Sequence, residues 1–258
     1  MIVGVLMLVG GAAAGVFGSL LGLGGGVLIV PLLTLGFGLP LREAVGVSLV
    51  SVIMTSSAAA GVYLERHVAN LRLGMSLELF TAFGALIGGS VAFLLDERLL
   101  ALLFAVLSGY IALTMIRRRT ETGPQPTGGE GEPDGYVVHD MPKGIVGATF
   151  AGIISALLGV GGGIVKVPLM NLVMGVPLRV ATATSNLMIG ITAAASAVIY
   201  LSRGEIDPYV AGPTAIGVFL GATLGSRIAP RVDLRYLRAA FVVVLVYTSF
   251  EMLMKAIG

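Results

Sequence analysis

Cysteine is absent from all 258 residues, which excludes disulfides, thiolate metal sites and cysteine nucleophiles. Charge is also scarce, at 12% of the chain. Glu78 and Glu251 are the acids that come nearest to the interior of an apolar run, and both fall toward run ends, so a relay of buried acids is not expected. An intramembrane enzyme would need facing acids, a histidine cluster or an activated nucleophile within the spans, and none is evident. His67 and His139 lie beside loops and read as solvated. The glycine-rich stretches do not continue into Gly-Lys-Ser/Thr, so no nucleotide-phosphate loop and no cofactor are expected.

The chain is apolar: 56% of its residues are hydrophobic and its mean hydropathy is +0.99, outside the range of soluble domains. Apolar runs of about 20 residues fit membrane-crossing helices, whereas a β-barrel would show short alternating segments. The net charge of +2 and pI near 9.0 do not point to nucleic acid, because the basic residues sit at the ends of apolar runs and carry topology. The first run, 2–21, has no basic start and no cleavage site before a polar chain, so it reads as a retained segment rather than a signal peptide.

One stretch occurs twice. Gly22-Leu23-Gly24-Gly25-Gly26 leads to Pro31, and Gly159-Val160-Gly161-Gly162-Gly163 leads to Pro168, a register of 137 residues. The same offset pairs Pro40-Leu41-Arg42 with Pro177-Leu178-Arg179, Ser48 with Ser185, Thr55 with Thr192, Tyr63 with Tyr200 and Gly84 with Gly221. Residues 1–116 thus form a first transmembrane repeat and 143–258 a second, joined by a linker at 117–142 whose Pro, Gly and Glu content cannot bury a core. Residues 2–37 as a single helix would measure about 54 Å, too long for one crossing. The fold expected is all-α and polytopic, with two repeats, each a glycine-broken re-entrant helix pair plus three transmembrane helices.

The basic residues favour inverted repeats. Leaving Lys166 aside, re-entrant breaks place eleven arginines and lysines on the linker's side and four on the other, whereas breaks that cross once divide them eight against seven. The positive-inside bias selects the first and puts the linker in the cytoplasm.

Irregular backbone is tolerated at membrane depth only beside protein or a water-filled cavity. The N–H groups at Gly24, Gly25, Gly26, Gly161, Gly162 and Gly163 are therefore candidates to hold a small anion at helix N-termini, with close helix packing as the alternative use of these glycines. Lys166, where the first repeat has Ile29, could neutralise the anion or snorkel to the interface. Ser48, Ser185 and Asn186 could orient it, although membrane hydroxyls also bond the carbonyl four residues back. The faces Gly84-x-x-x-Gly88 and Gly217-x-x-x-Gly221-x-x-x-Gly225 suit helix contacts within or between subunits, which makes a homodimer plausible.

The duplicated Gly-x-Gly-Gly-Gly-x-x-x-x-Pro at 22–31 and 159–168, the Pro-Leu-Arg after each, and Ala181-Thr182-Ala183-Thr184-Ser185-Asn186 resemble the sulfite exporter TauE/SafE family of membrane permeases. The resemblance covers nearly the whole chain outside the linker. It implies a secondary transporter in the cytoplasmic membrane for sulfite, sulfoacetate or a related sulfonate, usually described as an exporter. The family pattern supplies no residue-level binding map. The competing expectations are a scaffold subunit that uses the glycine faces, and a channel or cation carrier that uses unwound carbonyls.

Overall fold

The computed structural model describes residues 2–21, 24–65, 69–117, 136–228 and 234–257, and these are all-helical. The helices are α1 (Ile2–Leu21), α2 (Gly26–Pro31), α3 (Leu41–Glu65), α4 (Leu71–Ala92), α5 (Glu97–Arg117), α6 (Met141–Leu158), α7 (Gly163–Pro168), α8 (Leu178–Ser202), α9 (Pro208–Ile228) and α10 (Leu234–Ile257). All except α2 and α7 are long and apolar enough to cross a membrane, which makes eight such helices among the described residues. Residues 118–135, most of the expected linker, lie outside the described residues, as do Gly22, Leu23, Arg66 and Arg231.

Local chemistry sets the element ends. The hydropathy pattern starts the third apolar run at residue 74, but α4 begins at Leu71, because the Asn70 side chain caps it by accepting from the Leu73 N–H at 3.0 Å. The short helices α2 and α7 each end in a proline and continue as π-helical turns, Leu32–Gly36 and Leu169–Val173. A proline supplies no N–H and crowds the preceding turn, and a wider turn accommodates it. Hydropathy carries no trace of these turns.

Small residues decide which helices touch. A Cβ on Gly217 or Gly221 would run into the backbone of Leu8 or Ala12, and one on Gly225 into that of Val16 and the Ser19 hydroxyl. Thus α1 and α9 lie side by side in the same direction. In the same way Gly84 meets Thr149 and Gly88 meets Ile153, so α4 and α6 also run together. The first helix of each repeat therefore packs most extensively on the fourth helix of the other repeat, α1 on α9 and α6 on α4. These glycine faces are used inside the chain and no longer argue for a homodimer.

α8 shares the direction of α4, since Gly74 meets Thr184, Glu78 meets Thr192 and Gly89 meets Ile199. With α6 and α8 both running alongside α4, the segment between them turns back, and Gly147 packs on Leu169 and Gly144 on Met174 accordingly. The chain thus forms two packed groups, α1–α3 with α9 and α6–α8 with α4, which meet along α3 and α8, while α5 pairs with α10.

α4 turns its glycines and Glu78 inward. On α4 the buried stripe is Gly74, Leu77, Glu78, Thr81, Gly84, Ala85 and Gly88, whereas Leu79 and Phe83 are 70% and 61% exposed. That is the pattern of a helix with its apolar side in lipid.

A matched pair of substitutions tests the α1–α9 contact. Gly4→Ala places a Cβ no nearer than 3.9 Å to Pro213, so the gain in helix propensity, up to about 1 kcal/mol, is expected to raise the unfolding temperature in detergent. Gly221→Ala makes the same chemical change against the Ala12 backbone and is expected to lower it by roughly 1–3 kcal/mol of overpacking. The reverse order would contradict the contact.

Candidate functional site

The two short helices begin alike. Gly25 and Gly162 cap α2 and α7 with φ of 72° and 73°, and Gly24 and Gly161 before them have φ of 78° and 82°. Two successive left-handed residues reverse the chain in very little space, a conformation that glycine adopts without steric cost. Neither cap has a side-chain hydrogen bond, so the first N–H groups of each short helix have no capping acceptor.

The two breaks are in contact. A Cβ on Gly26 would collide with the carbonyl oxygen of Gly159. Gly24 and Gly161 both lie against Val52 of α3 and Ile189 of α8, and each of these is the twelfth residue of its 25-residue helix. The breaks therefore meet level with the middle of the two central helices. The Ser48 hydroxyl stands between them, 2.7 Å from the Gly159 carbonyl oxygen and 3.2 Å from that of Gly26. Four residues beyond Val52, the Ser56 hydroxyl donates to the Asn186 carbonyl at 2.6 Å and accepts from the Gly190 N–H at 3.1 Å, tying α3 to α8. Asn186 is thus engaged through its backbone.

The second break has more polar surroundings than the first. A Cβ built on Gly163 would lie 3.5 Å from the Ser185 hydroxyl, and one on Gly162 would lie 3.3 Å from Cβ of Ser155 and 3.5 Å from Cε of Lys166. Ser155 and Ser185 are fully buried, and neither hydroxyl has a hydrogen-bond partner among the described residues. Such orphaned groups are rare in a native interior.

Lys166 is 1% exposed, so it does not snorkel, and it is not an unpaired charge. Its ammonium donates to Oε2 of Glu78 at 3.2 Å and to the Thr192 hydroxyl at 2.6 Å, while that hydroxyl lies 2.7 Å from Oε1 of Glu78. The Thr192 hydroxyl has a single proton, which it can give to the carboxylate while accepting from the lysine. The result is a closed triangle of two charges and one hydroxyl.

Sequence reasoning missed Glu78 and Ser155. The expectation that Glu78 falls toward the end of an apolar run is corrected: it is the eighth residue of α4 and is 4% exposed. Helical spacing carried the signal, since Glu78 falls at four residues from Gly74 and three from Thr81, on the small-residue face. Ser155 likewise sits three residues from Gly152, which packs on the Thr81 backbone.

Of the candidate residues, the structure brings together the glycines of both breaks with Ser48 and Ser185, and sets Lys166 beside the second break but paired to an acid. This arrangement, a polar contact of broken helices inside a shell of membrane-crossing ones, is that of a membrane transporter. The sulfite exporter TauE/SafE family matches residues 7–252, and the chain belongs to that family. The chain is 26% identical to the "Probable membrane transporter protein YunE" of Bacillus subtilis over 98% of both chains. It is 28% identical to a "Probable membrane transporter protein" of Xylella fastidiosa over 83% of this chain and 80% of the other. It is also 35% identical to "Sulfite exporter TauE/SafE family protein 6" of Arabidopsis thaliana, over 38% of this chain and 23% of that one. No solved structure matches.

The ion pair makes a stability prediction. Lys166→Met strands the Glu78 carboxylate and is expected to cost about 3–5 kcal/mol, whereas Glu78→Gln combined with Lys166→Met removes both charges and is expected to recover most of that loss. Thermal unfolding in one detergent compares them. A double variant no more stable than Lys166→Met would contradict the pairing.

Proposed function

We propose that the protein moves a small sulfur-containing anion, such as sulfite, sulfoacetate or a related sulfonate, out across the cytoplasmic membrane by alternating access. The observation that carries this reading is the meeting of two glycine breaks at the middle of α3 and α8, with the N-termini of α2 and α7 at the contact. An anion seated between the breaks would take hydrogen bonds from the N–H groups at these N-termini, from Ser48 or from Ser185, and would gain from the positive ends of both short helices. Asn186 stands next to Ser185 as a further donor. The sulfur chemistry is supported by the description of the family.

The relative helix directions support inverted repeats. α1 runs with α9 and α6 runs with α8, and the short turn Arg203–Asp207 joins α8 to α9 as successive spans. On that reading α1 and α6, the equivalent first helices, oppose one another, and the linker 117–142, which opens on three arginines, falls on the cytoplasmic side. The moving units are then the two packed groups, with the breaks and the α3–α8 seam between them, rather than the two sequence halves. Rocking about that seam would open the contact first to one side and then to the other. A cation carrier would use the Gly26 and Gly159 carbonyls, but both already lie within hydrogen-bond distance of the Ser48 hydroxyl.

Detergent-purified protein tests the reading by thermal unfolding against sulfite, sulfoacetate, taurine, sulfate, acetate and chloride. A sulfur anion at 100 times its dissociation constant is expected to add about 2.7 kcal/mol, and Ser185→Ala and Gly26→Val are expected to remove that gain. Absence of stabilisation by any anion, with stabilisation by an alkali cation, would overturn it.

A further inference from the structure

We propose that the second break binds one oxyanion together with one proton, the proton on Glu78 and the anion on Lys166, Ser155 and Ser185, so that the two cross the membrane together. The inference rests on the anion-transporter reading and adds the coupling ion and the residues that couple it.

Three independent observations lead there. The first is asymmetry. The 137-residue register carries Thr192 onto Thr55, but Lys166 onto Ile29, Glu78 onto Ala215 and Ser155 onto Gly18. A charged pair used only for packing between repeats could have stood in both; it stands in one, beside one break. The second is the pair of orphaned hydroxyls. Ser185 is the repeat equivalent of Ser48, yet Ser48 is bonded to the Gly159 carbonyl, whereas Ser185 and Ser155, both fully buried, have no partner among the described residues. Their donors lie on either side of Gly162 and Gly163, and the Lys166 stem reaches the same glycine as Ser155. Two free donors and one ammonium around a glycine turn form a site that lacks only an acceptor with several oxygens.

The third observation is that the ammonium is already occupied. Lys166 gives its hydrogen bonds to Glu78 and Thr192, and an anion arriving with Glu78 ionised would place two negative charges around one positive in a buried, low-dielectric site. With a proton on Oε2 of Glu78 the ion pair opens, Lys166 stays protonated and turns toward the anion, and the Thr192 hydroxyl keeps its bond to Oε1. The net charge of the site is then zero for a monoanion, as it was in the empty pair. Each ligand makes room for the other, so their affinities rise together and reciprocally.

Among the described residues no other charged side chain pairs with Glu78 or Lys166, and Arg72, the other charge of α4, is exposed. α4 packs chiefly on α6 and α8, and neither carries an acidic or basic side chain between residues 144 and 158 of α6 or between 180 and 202 of α8. Lys166 is the ionisable residue of α7. Lys143 pairs with Asp140 at the exposed start of α6. Arg203 lies past the end of α8, over the Phe93 ring, and the Arg179 side chain is outside the described residues.

Proteoliposomes containing an entrapped pH dye test this with labelled methanesulfonate, sulfoacetate and sulfite. Methanesulfonate does not titrate near neutral pH, so any proton that accompanies it is carried by the protein. The wild type is expected to take up one proton per anion, with an apparent affinity that strengthens by up to about tenfold per unit of acidification, as linkage of one proton requires. Glu78→Gln mimics the protonated acid. It is expected to keep anion-for-anion exchange, to lose proton movement and to lose the pH dependence of binding. Net anion uptake by the wild type with no accompanying proton, or an unchanged pH profile in Glu78→Gln, would overturn the coupling and leave the transporter reading intact. No exchange of any anion by the wild type would overturn both. If Glu78→Gln fails to fold, the wild-type proton-to-anion ratio decides alone.

Discussion

A peptide group without a hydrogen-bond partner is costly in hydrocarbon, and the chain breaks its helices twice at membrane depth. The structure depends on how those breaks are covered. They cover each other, with Gly26 against the Gly159 carbonyl and the Ser48 hydroxyl placed between the two strands of irregular backbone. Glycine is required here on two counts: the left-handed turns at Gly25 and Gly162, and an approach so close that a methyl group would prevent it. A contact built from backbone and a single hydroxyl has little to lose when it parts, provided that a ligand supplies the hydrogen bonds in its place.

The rest of the packing holds that contact in register. Each repeat lends a helix to the other: α9 lies along α1 and α4 along α6, with glycines allowing backbone-to-backbone contact. The exchange has a chemical consequence, because it carries Glu78 out of the first repeat and into the neighbourhood of Lys166 and Thr192. A duplicated scaffold thereby acquires a site that is not duplicated. The facing breaks are the symmetric part, and the pair of Lys166 and Glu78 is the asymmetric one.

Much of this was legible in the sequence. The long apolar helices, the broken segments and the 137-residue register follow from hydropathy and from the repeated glycines, because those signals are local and periodic. The paired state of Lys166 was not legible, since its partner lies 88 residues away on a helix that belongs, in sequence, to the other repeat. Glu78 read as a span-end acid because Arg72 and Asn70 stand close before it; the Asn70 cap extends the helix backward and places the acid one turn deeper. Asn186 shows the converse. Its residue type suggested a side-chain donor, and nothing in it announced that its backbone carbonyl also accepts from Ser56 of the other repeat. The proline-linked π turns were invisible because they alter the winding of the chain and not its polarity.

The central claim is that the contact between the breaks opens in turn to the two sides of the membrane around an anion. The natural absence of cysteine makes Ser185→Cys a single-thiol protein, and a membrane-impermeant methanethiosulfonate with a sulfonate tail can be applied to vesicles of either orientation. The account predicts modification from both faces, slowed from both by sulfoacetate. Modification from one face only, or at a rate that no anion changes, would contradict it.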